Sequence, residues 1–111
     1  MAEAAVQPPP NPMNCISWNC CGLGQPWAIP ELTALVRKYS PSILFLMETK
    51  AKEAFLKNLK SKLHLENVFI FPRVNSGGGL ALYWTNGIDL HVLDASPTFI
   101  DAVVNLGVDD A

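Results

Sequence analysis

The sequence has few charged residues and no excess of positive ones. Asp, Glu, Lys and Arg make up 16% of the 111 residues, and the formal net charge is −2. A protein that coats nucleic acid by neutralising phosphates is usually basic. This composition therefore argues against simple charge-driven DNA binding.

Long apolar runs and useful cysteine spacings are also missing. No segment reaches the roughly 18 to 20 apolar residues of a membrane span, and the first ten residues lack the pattern of a secretory signal. The cysteines at Cys15, Cys20 and Cys21 are odd in number and too close together for a disulfide framework. With His64 and His91 they lack the spacing of a zinc site. We therefore expect an intracellular protein, nuclear or cytoplasmic, with buried cysteines and no membrane partner.

Half of the residues are hydrophobic, which is enough for the core of one domain. Residues 1–12 contain four prolines and no periodic pattern, so we expect a disordered, proline-rich tail there. The folded part is expected at 13–111.

Element types alternate along that part. A strand is predicted at about 13–20, a helix at 28–39, a second strand at 43–47 and a second helix at 51–63. In the second helix, Phe55 is expected to face inward with Leu56, Leu59 and Leu63. Further strands are predicted at 68–71, 80–84, 88–93 and 99–106.

This order predicts an α/β fold with a mixed sheet, two helices and then a strand meander. The pair Asn86-Gly87 predicts a tight hairpin between the strands at 80–84 and 88–93, because both residues adopt positive φ easily.

Two apolar runs end abruptly in a polar residue, the first at Asn19 and the second at Glu48. If the two strands are parallel neighbours, both side chains emerge at one edge of the sheet. Oxygen ligands suit Mg²⁺, and also Mn²⁺, so Glu48 is a candidate metal ligand and Asn19 a candidate partner for a ligand or phosphate oxygen. The alternative is local: Asn19 caps a turn, and Glu48 pairs with Lys50 or Lys52.

A nucleotide-binding, Rossmann-like half-domain is another alternative, because Gly22-Leu23-Gly24 follows a strand and precedes a helix. The third glycine position of that fingerprint is Trp27, however, where a small residue is needed.

Four ordered blocks carry a resemblance to a known family. They are residues 16–24, 26–28, 44–50 and 77–84. Together they resemble the endonuclease/exonuclease/phosphatase superfamily, and more narrowly the endonuclease domain of plant LINE-type, non-LTR retrotransposons. The resemblance implies a four-layer α/β sandwich and Mg²⁺-dependent hydrolysis of phosphodiesters in DNA. It also implies that Asn19 and Glu48 are catalytic, metal-site positions.

Two later blocks of the family do not occur in this sequence. These are Gly-Asp-Phe-Asn and Ser-Asp-His, which supply an Asp-Asn pair and the catalytic Asp and His. We therefore expect the amino-terminal half of such a domain, with little or no hydrolytic activity, weak DNA binding and an open sheet face that allows self-association. A non-catalytic interaction module is the main alternative.

Overall fold

Eight helices and strands follow one another in the computed structural model, which describes residues 13–75 and 77–105. The expected tail at 1–12 and the end of the last expected strand lie outside these residues. The elements are β1 (Cys15–Asn19), α1 (Ala28–Tyr39), β2 (Ile43–Met47), α2 (Glu53–Leu63), β3 (Asn67–Phe71), β4 (Leu80–Trp84), β5 (Asp89–Ser96) and β6 (Phe99–Asn105).

Four of the strands form a mixed sheet in the order β1-β2-β4-β3. β1 and β2 are parallel neighbours joined through α1, and β4 runs antiparallel to both β2 and β3. The predicted α/β class with a mixed sheet is therefore confirmed.

The predicted hairpin at Asn86-Gly87 is wrong. A turn is present there, since the Ile88 N–H donates to the Thr85 carbonyl at 3.1 Å, but β5 pairs with β6 and not with β4. The reason is that both edges of β4 are already hydrogen-bonded, one to β2 and the other to β3. The chain must leave the sheet, and the expected meander ends at β4.

The two faces of the four-stranded sheet carry different layers. On one face the helices bury a core that includes Leu32, Leu44 and Tyr83. The Tyr83 hydroxyl donates to the carbonyl of Leu56 in α2 at 2.8 Å. On the other face the β5–β6 hairpin packs over a smaller apolar cluster around Leu82. The described residues therefore form three layers, and the hairpin covers the centre of the sheet face that was expected to be open.

The two helices follow the predicted pattern with one exception. α1 ends at Tyr39 and is capped by Ser40, which has a left-handed φ of 44° and directly precedes Pro41. α2 buries Leu56, Leu59 and Leu63, but Phe55 is 42% exposed, so its predicted inward position is wrong. Phe55 lies at the edge of the apolar stripe, about 100° around the helix from Leu56, and the other three residues already belong to the core cluster. Among the described residues, no helix has both the length and the apolar character needed to cross a membrane.

Candidate active site at the ends of β1 and β2

β1 ends in a turn that its own last side chain stabilises. The Asn19 Oδ1 accepts a hydrogen bond from the Cys21 backbone N–H at 3.0 Å, with the Cys21 Sγ at 3.5 Å. The turn-capping alternative for Asn19 is therefore present in the structure. It leaves the Asn19 Nδ2 without a partner among the described residues, as a donor available to an acceptor such as a phosphate oxygen.

Glu48 directly follows β2, and the register of the parallel pair aligns Asn19 with Met47. The backbones of Asn19 and Glu48 thus lie side by side at one edge of the sheet, as expected from the strand ends. On the β1 side the Gly22 N–H donates to the Glu48 carbonyl at 2.8 Å, and the Leu23 N–H donates to the Thr49 carbonyl at 2.9 Å.

The loop that precedes β4 holds the other side of this segment. The Thr49 N–H donates to the Gly79 carbonyl at 3.1 Å, and the Lys50 N–H donates to the Gly78 carbonyl at 2.8 Å. Thr49 is fully buried, and a Cβ placed on Gly79 would come within 2.5 Å of the Thr49 Oγ1. The segment after β2 is therefore fixed from both sides by backbone hydrogen bonds.

Three of the six non-glycine residues with positive φ in the described part of the chain lie at this edge. Cys21, Glu48 and Lys50 have φ values of 53°, 55° and 49°, and none of them is a glycine. Left-handed backbone costs an ordinary residue about 1–2 kcal/mol. Such conformations persist where surrounding bonds hold them, and they cluster at functional sites.

The charges around Glu48 are weakly paired. The Lys50 Nζ lies 3.9 Å from the Glu48 Oε1, with side chains that are 42% and 50% exposed. The local ion-pair alternative is thus present, but a pair this long and exposed stabilises the fold by well under about 1 kcal/mol. The Glu48 carboxylate remains open to another cation.

A scan against protein-family models matches residues 16–110 with the Endonuclease/Exonuclease/phosphatase family. The chain belongs to this family. A search among curated proteins gives no match. Membership supports a hydrolytic function of the nuclease or phosphatase type in general, and the family generally uses divalent metal ions.

The donors at the strand ends fit such an ion. Mg²⁺ is commonly held by one or two carboxylates together with waters and substrate phosphate, and Glu48 supplies one carboxylate. The described residues contain no group of three or more His, Cys, Asp or Glu side chains that could hold a metal. An ion at these strand ends would be held by Glu48, with Asn19 beside it, and by waters or substrate rather than by a cluster of such side chains.

The geometry does not support the Rossmann alternative. The N–H groups of Gly22 and Leu23, which would face a pyrophosphate, are hydrogen-bonded to the segment after β2. The strand on the other side of β2 is antiparallel, whereas a Rossmann sheet is parallel.

The cysteines and histidines lie away from a shared site. Cys20 is buried, and burial together with the nearby Cys21 raises the pKa of its thiol to about 12. Cys15 and Cys21 are exposed, so the prediction that they are buried is wrong. Cys15 begins β1, which is an edge strand, and Cys21 lies in the turn after β1. His64 caps the end of α2, and the His91 Nε2 lies 2.7 Å from an Asp89 oxygen on the hairpin.

Sequence reasoning missed the contact between Thr49 and Gly79 that positions the Glu48 segment. The run Gly77-Gly78-Gly79 was visible, and positive φ at Gly78 and Gly79 explains two of its glycines. Which segment these glycines approach depends on the pairing of β2 with β4, so the run alone did not reveal it.

Proposed function

We propose that this chain carries part of the active site of a Mg²⁺- or Mn²⁺-dependent phosphodiester hydrolase acting on DNA, similar to the endonuclease domain of plant LINE-type, non-LTR retrotransposons. Glu48 is the metal ligand, and Asn19 is the residue that orients a phosphate oxygen. The observation that carries the proposal is the position of Glu48. This residue follows the central strand β2, lies beside Asn19 and has a left-handed backbone conformation, and it belongs to the segment that matches the family.

The two residues have distinct roles in this proposal. A divalent ion held by Glu48 would supply polarisation of a phosphoryl oxygen and a lower pKa of a bound water. Glu48 contributes negative charge and an oxygen ligand. Asn19 donates from Nδ2 to a phosphate oxygen, because its Oδ1 is held by the Cys21 N–H.

The distribution of charge supports a nucleic-acid substrate more than the net charge does. All eight Lys and Arg residues lie in the described part of the chain, against seven of the ten carboxylates. The β5–β6 hairpin carries Asp89, Asp94 and Asp101 and no Lys or Arg, whereas the cations lie on the helices and on the loops around Glu48. The loops around Glu48 carry Lys50, Lys52 and Arg73, so a phosphate backbone is attracted to the Glu48 edge and repelled by the hairpin.

Hydrolysis also needs a group that activates water, and the described residues bring neither histidine to this edge. His64 ends α2, and His91 lies on the hairpin. Because catalytic groups act as a unit, we propose that the described residues bind metal but hydrolyse DNA slowly or not at all.

The test is Mn²⁺ binding followed by electron paramagnetic resonance, with wild type compared with Glu48→Gln. Glu31→Gln is the matched control, since it removes the same charge from an exposed glutamate on α1. We expect Glu48→Gln to weaken Mn²⁺ binding at least tenfold and Glu31→Gln to leave it unchanged. Equal binding by all three proteins would remove Glu48 from the metal site.

Nicking of supercoiled plasmid with Mg²⁺ tests the second part of the proposal. We expect little or no nicking by wild type or by Glu48→Gln. Nicking by wild type that Glu48→Gln abolishes would support the metal role and contradict the expected inactivity. Equal, robust nicking by both proteins would contradict both parts.

A non-catalytic interaction module is a second candidate, favoured by apolar side chains on the hairpin. Leu93 and Val103 are 64% and 42% exposed. Neighbouring exposed apolar residues of this kind mark association surfaces. We expect a dimer in sedimentation equilibrium that Leu93→Asp converts to monomer; a wild type that is monomeric at all concentrations would contradict this function.

A further inference from the structure

A shallow hollow of about 280 Å³ lies beside the Glu48 segment. It is bounded by the loop after β1, by the residues after β2 and by the first turn of α2. Its lining residues are Leu23, Gly24, Lys50, Ala51, Lys52, Phe55 and Arg73.

The hollow has an aromatic wall. Phe55 is 42% exposed, although its neighbour Leu56 is buried in the core. The ring therefore contributes little to the core. It lines the hollow together with Lys50, Ala51 and Lys52, the residues between β2 and α2.

The rim of the hollow carries positive charge only. Lys50, Lys52 and Arg73 line it, and its lining contains no carboxylate. The Arg73 Nη1 donates to the Lys50 carbonyl at 3.2 Å, which ties the guanidinium to the segment that Glu48 begins. Three cations around an apolar floor are complementary to a flat apolar group that is flanked by phosphates.

We infer that this hollow binds an unpaired base of single-stranded DNA, with Phe55 as the stacking surface and the three cations on the neighbouring phosphates. Base–aromatic stacking beside a cationic groove is how proteins bind single strands without sequence preference. The volume lies near the lower limit of small-ligand pockets, about 300 Å³, so it suits one base and not a duplex. The inference rests on the proposed function only for the substrate class; the binding itself needs neither metal nor hydrolysis.

The first experiment is fluorescence anisotropy of a labelled oligothymidylate, 12 nucleotides long, with wild type, Phe55→Ala and Phe99→Ala. Phe99 is a matched control because it is a similarly exposed phenylalanine, 45% exposed, on the acidic hairpin. We expect Phe55→Ala to weaken binding roughly tenfold, the loss of one base–aromatic stack, with no effect of Phe99→Ala. Phe55→Trp should bind at least as tightly as wild type.

The second experiment tests the cations through the salt dependence of binding. Lys50→Gln/Lys52→Gln is compared with Lys57→Gln/Lys62→Gln, which removes the same charge from α2 positions outside the hollow. We expect the slope of log affinity against log salt to fall by about 1.4 for the first pair only, about 0.7 for each lost phosphate contact.

Two results would overturn the inference: equal binding by Phe55→Ala and Phe99→Ala, or tighter binding of the same sequence as a duplex. Measuring oligonucleotide binding by wild type in EDTA separates this inference from the proposed function. We expect the affinity for the oligonucleotide to persist without a divalent ion, so failure of the metal experiment leaves the base-binding result intact and the reverse also holds.

Discussion

The substitution Gly79→Ala tests the contact that holds the Glu48 segment. Gly79 has a φ of 97°, and its carbonyl accepts a hydrogen bond from the Thr49 N–H at 3.1 Å. A Cβ at this position would lie 2.5 Å from the Thr49 Oγ1, which is fully buried and has no hydrogen-bond partner among the described residues. The side chain of Thr49 therefore has little room to move away.

Two costs and one gain set the size of the effect. Holding alanine at this φ costs about 1–3 kcal/mol. Overpacking against Thr49 costs about 1–3 kcal/mol more. Alanine also restricts the unfolded chain, which returns about 0.4–1 kcal/mol. We expect a net loss of about 3 kcal/mol in the free energy of unfolding.

The measurement is urea unfolding followed by circular dichroism. Gly24→Ala is the control, because a Cβ on Gly24 meets no atom within 4 Å and its φ is not left-handed. Its stability should stay within about 0.5 kcal/mol of wild type. The double variant Gly79→Ala/Thr49→Ala should recover about 1–2 kcal/mol relative to additive effects. A Gly79→Ala protein as stable as Gly24→Ala, or the absence of this coupling, would refute the packing argument.

Four further outcomes follow from buried or paired groups. Tyr83→Phe should lower the free energy of unfolding by about 1–1.5 kcal/mol in the same urea assay, because it removes a buried hydrogen bond to α2; no loss would mean that the bond does not form in solution. Iodoacetamide at pH 8 should modify Cys21, which is exposed, and spare Cys20. The Cys20 pKa of about 12 leaves roughly one thiol in ten thousand ionised at this pH. Peptide mass spectrometry measures which cysteine is modified. Since that pKa is raised above its usual 9.0, the Cys20 contribution to stability is complete below about pH 9 and is lost as the pH rises toward about 12; Cys20→Ala should flatten this alkaline decline. The hydrogen bond from Asn105 lowers the pKa of Asp89, so Asn105→Ala should raise that pKa toward its usual value in a carboxyl NMR titration, and an unchanged pKa would contradict this cause.

Local signals predicted the helices and most strands well. The bounds of α1, β2 and β4 agree with the sequence prediction residue for residue. Each has strong local punctuation: Ser40-Pro41 ends α1, and polar residues or turns bound the two strands. The adjacency of Asn19 and Glu48 was predictable for the same reason, since it needs only two parallel strands that end together. Their roles at a metal site stay predictions.

The errors come from properties that no local pattern carries. Asn86-Gly87 has the composition of a hairpin turn, but pairing depends on whether β4 has a free edge, and β2 and β3 occupy both edges. Cys15 and Cys21 have the hydropathy of core residues, but Cys15 lies on an edge strand and Cys21 lies in the turn after it. In each case burial or pairing was decided by a distant segment.

The same nonlocal pairing explains why strain at the Glu48 edge is tolerated. Left-handed backbone at Cys21, Glu48 and Lys50 is unfavourable in isolation, and backbone bonds from the loop after β1 and from Gly78 and Gly79 hold it in place. If this conformation serves the metal site, loosening one side of it should affect function as well as stability. Gly79→Ala should therefore weaken Mn²⁺ binding at temperatures where the variant is still fully folded, whereas Tyr83→Phe, which acts through the helix side of the core, should lower stability without changing Mn²⁺ binding. Equal Mn²⁺ affinity in both folded variants would show that the hydrogen bonds from Gly78 and Gly79 to the Glu48 segment serve the fold alone.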